Sequence, residues 1–363
     1  MFYGLKRDEI VLMSVVATLL CLGLLMVFNA SSIKAFNAYG QSSHYLLRQL
    51  IFAILGGAAL FLCARFDYHW WSKLTLPLVV VSIGLLVLVL VPGFGVNIKG
   101  ATRWIKTPLF NLQVSEFCKL SFVIYLSAYL AKREGQLGDF KRDFLPPWII
   151  LGVVIVLLML EPDFGSSVVL GALTFVLLFV AGARLKHLAI LLAIGAAGVA
   201  VAIAGRGYRM DRVTSFLDVG GKGVSYQLKQ SLIAYGAGGV QGVGAGNSVQ
   251  KQLYLPEAYT DFIVAVWGEE FGFVGVIVLV VLIAALLWIG LKISRSAPDR
   301  LGSILAFGLT LFLVLQMTIN FWVTLGLLPT KGLTFPFLSY GGSSLCVSLA
   351  AVGVLLNVSR QTR

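Results

Sequence analysis

The sequence predicts an all-α, polytopic membrane fold of about ten transmembrane helices, N-in and C-in, with one large extracytoplasmic loop between helices 7 and 8. Three observations predict it. Hydrophobic residues make up 58% of the 363 positions and charged residues only 12%, against about 25% charged in an ordinary soluble domain. Apolar runs of about 17 to 22 residues recur from Ile10 to Val358, each long enough to cross a hydrocarbon layer about 30 Å thick. Lys and Arg are also distributed unevenly between alternate connections. Every backbone N–H and C=O needs an internal partner in lipid, and no period-2 alternation marks a barrel, so the runs are helices.

The first run, 10–30, follows Lys6 and Arg7 and imitates a secretory signal. Its apolar stretch is too long for a cleaved leader and more membrane segments follow, so it reads as a retained anchor. The other runs are 47–64, 74–92, 114–131, 146–160, 164–183, 187–204, 263–291, 301–325 and 339–358. With the N-terminus inside, the cytoplasmic segments hold 15 Lys and Arg and the short outer loops hold six: Lys34, Arg48, Lys99, Arg103, Lys106 and Lys331. That bias fixes the orientation, whereas the long 205–262 segment, with six more, says little about it. The net charge of +12 follows from this retention and from contact with anionic lipid headgroups, with no need for nucleic acid.

Cys21, Cys63, Cys118 and Cys346 fall inside the helical runs, which favours packing over disulfide or metal chemistry. His44, His69 and His187 share no ligand spacing. No linker divides the chain, so residues 1–363 read as a single membrane domain. Two outer features break the hydrophobic rhythm. One is the loop Pro92 to Gln113; the other, Gly205 to Asp261, holds eleven glycines up to Gly246. Within it, Val224, Leu228, Leu232 and Tyr235 make a helical stripe suited to a short helix lying on or dipping into the outer interface. The irregular glycine spacing, mixed with Val240 and Val243, favours a closely packed loop over a flexible tether.

Charges at membrane depth are costly and therefore informative. Glu116 and Lys119, three apart on one helix face, form an ion pair or else present Lys119, with Arg103 and Lys106, to an anion such as a diphosphate. In EPDFGSS, Asp163 suits the cap of the next helix, while Glu161 has no such role and is open to coordinating a divalent ion or orienting a base. In YLPEAYTDFIVAVWGEEFG, Asp261 stands where water meets the membrane; it is either a helix cap, competing with Thr260, or a partly desolvated general base. Glu269 and Glu270 lie about two turns deeper and require a partner such as a basic side chain.

The stretch GLLPTKGLTFPFLSYGGSSL at 326–345, with GATRWI at 100–105, SEFCKL at 115–120, EPDFGSS at 161–167 and GVGAGNSVQKQLYLPEAYTDFIVAVWGEEFG at 242–272, resembles the SEDS family (FtsW, RodA and SpoVE) over nearly the whole chain. PTKG followed by FPFLSYGGSSL looks like its division branch, FtsW, rather than its elongation branch, RodA. The resemblance implies a glycosyltransferase of the bacterial inner membrane that polymerises lipid II at the outer leaflet during septal wall synthesis. It implies Asp261 as the catalytic carboxylate, with Arg103 and Lys119 stabilising the departing diphosphate. Glu116, Glu161, Lys331, Ser339 and Ser343 are candidate substrate contacts, although the serines of SYGGSS equally suit helix capping. A divalent cation, Mg or Mn, is the candidate cofactor, and no nucleotide is required, in keeping with the lack of a nucleotide fingerprint. A class B penicillin-binding protein, other division proteins, lipid II and membrane lipids are the implied partners. A lipid II flippase and a non-catalytic division scaffold are the alternatives; the outward clustering of the marked residues argues against a flippase, which needs polar sites on both faces.

Overall fold

The computed structural model describes residues 6–98, 100–107, 111–133, 145–204, 225–329 and 332–362. Twelve α-helices are described: α1 Arg7–Tyr39, α2 His44–Arg65, α3 Tyr68–Lys73, α4 Thr75–Leu90, α5 Val114–Lys132, α6 Leu145–Leu160, α7 Phe164–Val180, α8 Leu185–Ala204, α9 Tyr226–Gly238, α10 Ile263–Ser296, α11 Arg300–Thr324 and α12 Gly342–Gln361. Six (α1, α2, α5, α10, α11 and α12) are long and apolar enough to cross a membrane, and four shorter apolar helices (α4, α6, α7 and α8) accompany them. Burial sorts them into layers. The apolar windows of α11 and α12 are each 78% buried inside the protein and that of α5 72%, whereas α2 turns all but 11% of its window outward. The central helices are the ones that carry polar side chains, as expected where lipid must not meet them.

The ends of the bundle differ. At one, the termini meet: Lys292 pairs with Asp8 at 2.6 Å, Arg360 with Glu9 at 3.4 Å, and Lys6 Nζ reaches Thr362 Oγ1 at 3.2 Å. His69 at this end bridges Asp67 and Asp299, at 2.7 Å each, which ties α3 to the start of α11. Chain ends that share one side agree with an even number of crossings. The opposite end carries the long connections.

Strands there depart from the expected all-helical chain. Within 92–113, β1 Gly95–Ile98, β2 Ala101–Lys106 and β3 Asn111–Gln113 form an antiparallel sheet in sequence order. Gly95 pairs with Ile105, Trp104 with Gln113, and a bulge falls between Val96 and Asn97. The Asn97 side chain accepts from the Gly100 amide at 3.0 Å and closes the first turn. The loop sits outside the hydrophobic runs, where water and the hairpin itself can satisfy backbone groups.

Helix α9 carries the expected stripe from Leu228 onward, Val224 lying outside the described residues, and packs against α10 and α11: Leu228, Ser231, Ala234 and Gly238 are buried, and Ser231 Oγ donates to the Thr324 carbonyl at 2.6 Å. Beyond it the described glycines are packed unevenly: Gly238 and Gly242 lie against the backbone of α10, whereas Gly239 and Gly246 face open space and Val240 and Val243 are exposed, which corrects the expectation of a closely packed loop. Helix α10 is interrupted at Gly272, where φ is 61°. The Val243 and Gly244 amides reach the Glu269 and Glu270 carbonyls, each at 3.0 Å, and the Phe273 amide reaches the Gly239 carbonyl at 2.9 Å. A loop thus repairs the hydrogen bonding of a broken helix, the condition for irregular backbone inside a membrane protein. Gly242 makes the approach possible, since a Cβ there would lie 2.1 Å from the Glu270 carbonyl oxygen.

Both carboxylates behind this break have partners. Lys251 Nζ lies 2.9 Å from Glu270 and 2.5 Å from Asn29 Oδ1 of α1. Glu269 accepts from the Val249 and Gln250 amides at 3.0 and 3.2 Å and from the Ser248 hydroxyl. The basic partner expected for the pair is therefore Lys251, which serves Glu270, while Glu269 is held by backbone amides.

Candidate active site

Two irregular segments meet at the loop-bearing end, 255–262 before α10 and 332–341 before α12. The second descends into the bundle. Phe335, Phe337 and Leu338 are fully buried, and the Phe337 carbonyl rests against Gly23 of α1, where a Cβ would stand 2.0 Å away. Buried polar side chains keep this backbone satisfied, as required. Gln49 donates to the Ser339 carbonyl at 3.2 Å and accepts from the Gly341 amide at 3.3 Å. Ser339 Oγ accepts from the Phe335 amide at 2.9 Å and donates to the Thr260 carbonyl at 2.6 Å. The Tyr340 amide meets the Tyr259 carbonyl at 2.9 Å. Asn320, from α11, donates to the Asp261 carbonyl at 2.9 Å and the Leu333 carbonyl at 2.6 Å.

The stitching brings Asp261 beside Arg103. Gly332 lies between them: a Cβ on it would be 3.2 Å from Asp261 Oδ2 and 3.8 Å from Arg103 Nη1. Asp261 is half-buried in the turn that precedes α10, and Phe262 holds the N-cap position of that helix. Arg103 projects from β2. Its Nε donates to the Glu161 carbonyl at 3.3 Å and its Nη2 to the Pro162 carbonyl, which fixes the guanidinium over the α6–α7 turn. A carboxylate and an oriented guanidinium, on either side of a glycine without side-chain bulk, can take a proton from one group and stabilise negative charge on another.

Glu161 completes the inner wall. It is buried, neither carboxylate oxygen has a hydrogen-bond partner among the described residues, and burial with the Asp163 charge pushes it up to about 8 against the pull of Arg103. Asp163 is the expected cap of α7, accepting from the Ser166 amide at 3.2 Å and its hydroxyl at 2.8 Å.

Other candidate residues are placed differently. Lys119 is fully buried, 2.7 Å from Glu116 and bonded to Gln316 Oε1, with Phe312 beneath it. The pairing holds, and the ammonium faces neighbouring helices instead of opening beside Arg103. Ser339 supports the backbone. Ser343 accepts from the Gln113 amide at 2.9 Å and Ser344 from Thr334 Oγ1 at 2.8 Å, so they anchor β3 and the 332–341 segment, and no side chain caps α12. Lys331 lies outside the described residues. No group of three or more His, Cys, Asp or Glu placed to hold a metal ion occurs among the described residues. Asn320, Gln49, Gln316 and Gly332 escaped the sequence reading; a polar amide inside a hydrophobic run was the available signal for the first three.

The profile of the family described as "Cell cycle protein", FtsW, RodA and SpoVE, matches residues 10–363. The chain belongs to that family. It is 41% identical over 359 residues to a "Probable peptidoglycan glycosyltransferase FtsW" of Trichlorobacter lovleyi, covering 98% of this chain and 94% of the relative. Stage V sporulation protein E of Bacillus subtilis is likewise 41% identical, with 98% of each chain covered. Among solved structures, a chain from work described as "Structural coordination of polymerization and crosslinking by a peptidoglycan synthase complex" superposes with a TM-score of 0.80 at 31% identity over 96% of both chains. Membership of the FtsW/RodA/SpoVE family and the apolar helices make this a multi-pass membrane protein.

Proposed function

We propose that the protein is a peptidoglycan glycosyltransferase that polymerises lipid II into β-1,4 glycan strands on the outer face of the bacterial inner membrane during septal wall synthesis. The observation that carries this reading is the placement of Asp261 and Arg103 around Gly332, on a backbone pinned by Asn320 and Ser339. Asp261 takes the proton from the 4-hydroxyl of the acceptor sugar as that oxygen attacks the donor's anomeric carbon. The C1–O bond to the diphosphate breaks with inversion, the electron pair leaves with the lipid diphosphate, and Arg103 stabilises its charge. Lys119, held by Glu116 and Gln316, acts by supporting α5 and α11 from within. A class B penicillin-binding protein is the proposed partner that supplies crosslinking, alongside other proteins of the division site. The relationship to a peptidoglycan synthase complex supports that pairing.

The test is reconstitution of the full chain in vesicles with fluorescent lipid II, with and without the transpeptidase, following glycan length and lipid II translocation together. Polymer formation on the face that bears Asp261 is expected. Translocation without polymer would replace this reading with a flippase, and neither product with a folded protein and its partner would leave a scaffold.

A further inference from the structure

Gln49 is placed to act on Asp261 from a helix that otherwise faces outward. The buried residues of α2 are Gln49, Phe52, Gly56 and Ala64, and Gln49 is the one polar side chain among them. With Tyr45 it belongs to the face that recurs at 45, 49, 52 and 56, the spacing of one side of a helix. That face packs against the 332–341 segment and the start of α12. A Cβ on Gly342 would lie 2.5 Å from the Phe52 ring, and one on Gly56 would lie 2.5 Å from Leu349 Cδ1. The Tyr45 ring stands 4.8 Å from that of Tyr259 and 5.1 Å from that of Tyr340.

A side-chain amide carries a donor and an acceptor, and Gln49 uses both on one short stretch of irregular backbone. Its Nε2 donates to the Ser339 carbonyl at 3.2 Å and its Oε1 accepts from the Gly341 amide at 3.3 Å. The same stretch is bonded across to the residues before Asp261, Ser339 Oγ to the Thr260 carbonyl at 2.6 Å and the Tyr340 amide to the Tyr259 carbonyl at 2.9 Å. Asn320 of α11 fixes the Asp261 carbonyl itself. We infer that Gln49 is a positioning residue for Asp261: through 339–341 it fixes residues 259 and 260, and so makes an outward-facing helix part of the scaffold of the site. The inference rests on the role proposed for Asp261. The same two helices carry a matching tie at their other end, where Asn357 of α12 accepts from the Tyr68 amide at 2.8 Å and donates to the Ala64 carbonyl at 3.1 Å. Ala64 lies about 22 Å along α2 from Gln49 at the rise of an α-helix, so that tie joins α2 to α12 without reaching Asp261.

The experiment compares the full-length wild type with Gln49→Leu, Asn357→Leu and Tyr45→Leu. Thermal unfolding, hydrogen exchange of the 257–262 backbone amides, and kcat and KM for polymerisation of lipid II with the transpeptidase present are measured on the same preparations. Gln49→Leu and Asn357→Leu each remove hydrogen bonds to buried backbone and should both lower the unfolding temperature. Only Gln49→Leu should speed exchange at 257–262 and lower kcat, about tenfold with KM nearly unchanged. Tyr45→Leu, at a half-buried position, should shift exchange and kcat in the same direction by less, and it carries the test if Gln49→Leu does not fold. Wild-type exchange and kcat in Gln49→Leu, or equal losses of kcat in Gln49→Leu and Asn357→Leu, would overturn the assignment. A wild-type chain that makes no polymer would strike the role of Asp261 instead, and exchange at 257–262 would then decide by itself whether Gln49 holds that segment.

Discussion

Asn320 holds the Asp261 carbonyl at 2.9 Å with the same side-chain nitrogen that holds the Leu333 carbonyl at 2.6 Å. One amide therefore sets the distance between the segment that carries the carboxylate and the segment that carries Gly332. Asn320→Ala removes both bonds and frees the two segments to shift. Misplacement by about 1 Å costs catalysis on the order of a hundredfold. Polymerisation from lipid II should show this as a lower kcat with KM nearly unchanged, in protein whose unfolding transition stays cooperative. Asn320→Asp should be worse, because a carboxylate would face two carbonyl oxygens.

Gly332 tests the same arrangement from the other side. The Cβ of Gly332→Ala would touch Asp261 Oδ2 at 3.2 Å, closer than ordinary van der Waals contact. The position is exposed, so stability should not change, while turnover should fall about tenfold, equivalent to about 1.4 kcal/mol. Initial rates beside thermal unfolding of the same preparation separate the two effects.

Glu161 gives the protein a pH signature. Its carboxyl is pushed from the ordinary 4.5 up to about 8, so between these values the folded state keeps a proton that the unfolded state releases. Stability from this group is therefore present below about pH 4.5 and is lost as pH rises through that window. Glu161→Gln mimics the protonated acid and should flatten that part of the profile. Unfolding temperatures from pH 5 to 9 check it: wild type and variant should converge at the acid end and diverge toward the alkaline end. Parallel profiles would contradict the burial of an unpartnered carboxyl.

Lys251 and Glu270, 2.9 Å apart and buried, tie the loop to α10 behind the Gly272 break. Removing one charge leaves the other uncompensated, at a cost of about 3–5 kcal/mol. Lys251→Met should therefore lower the unfolding temperature sharply, and adding Glu270→Gln should recover part of the loss. A double-mutant cycle in detergent measures the coupling, and additive effects would place the two charges in separate environments.

The membrane runs were legible because hydrophobicity alone specifies a helix in lipid: runs such as 114–131 and 301–325 match α5 and α11 within a residue or two at each end. Asp163 as a cap was readable from its place directly before an apolar run. Helix α1 extends to Tyr39, well past the expected 30, because its last turns carry polar Ser31, Ser32 and Lys34, which hydropathy excludes and packing accepts. The hairpin at 95–106 escaped because a short aqueous sheet leaves little trace beside long apolar runs. The burial of Lys119 could not be read from spacing, since a Glu three residues before a Lys describes a closed pair and an open site equally well. The descent of 332–341 needed Gln49 and Asn320, whose partners are distant in sequence.

The central claim is that the Asp261 carboxylate accepts the proton of the attacking sugar hydroxyl. Asp261→Asn keeps the size of the side chain and removes its basicity, so it isolates that step. With wild-type unfolding behaviour and the transpeptidase present, the variant should make no glycan polymer from purified lipid II while still binding it. Polymer at the wild-type rate would contradict the account.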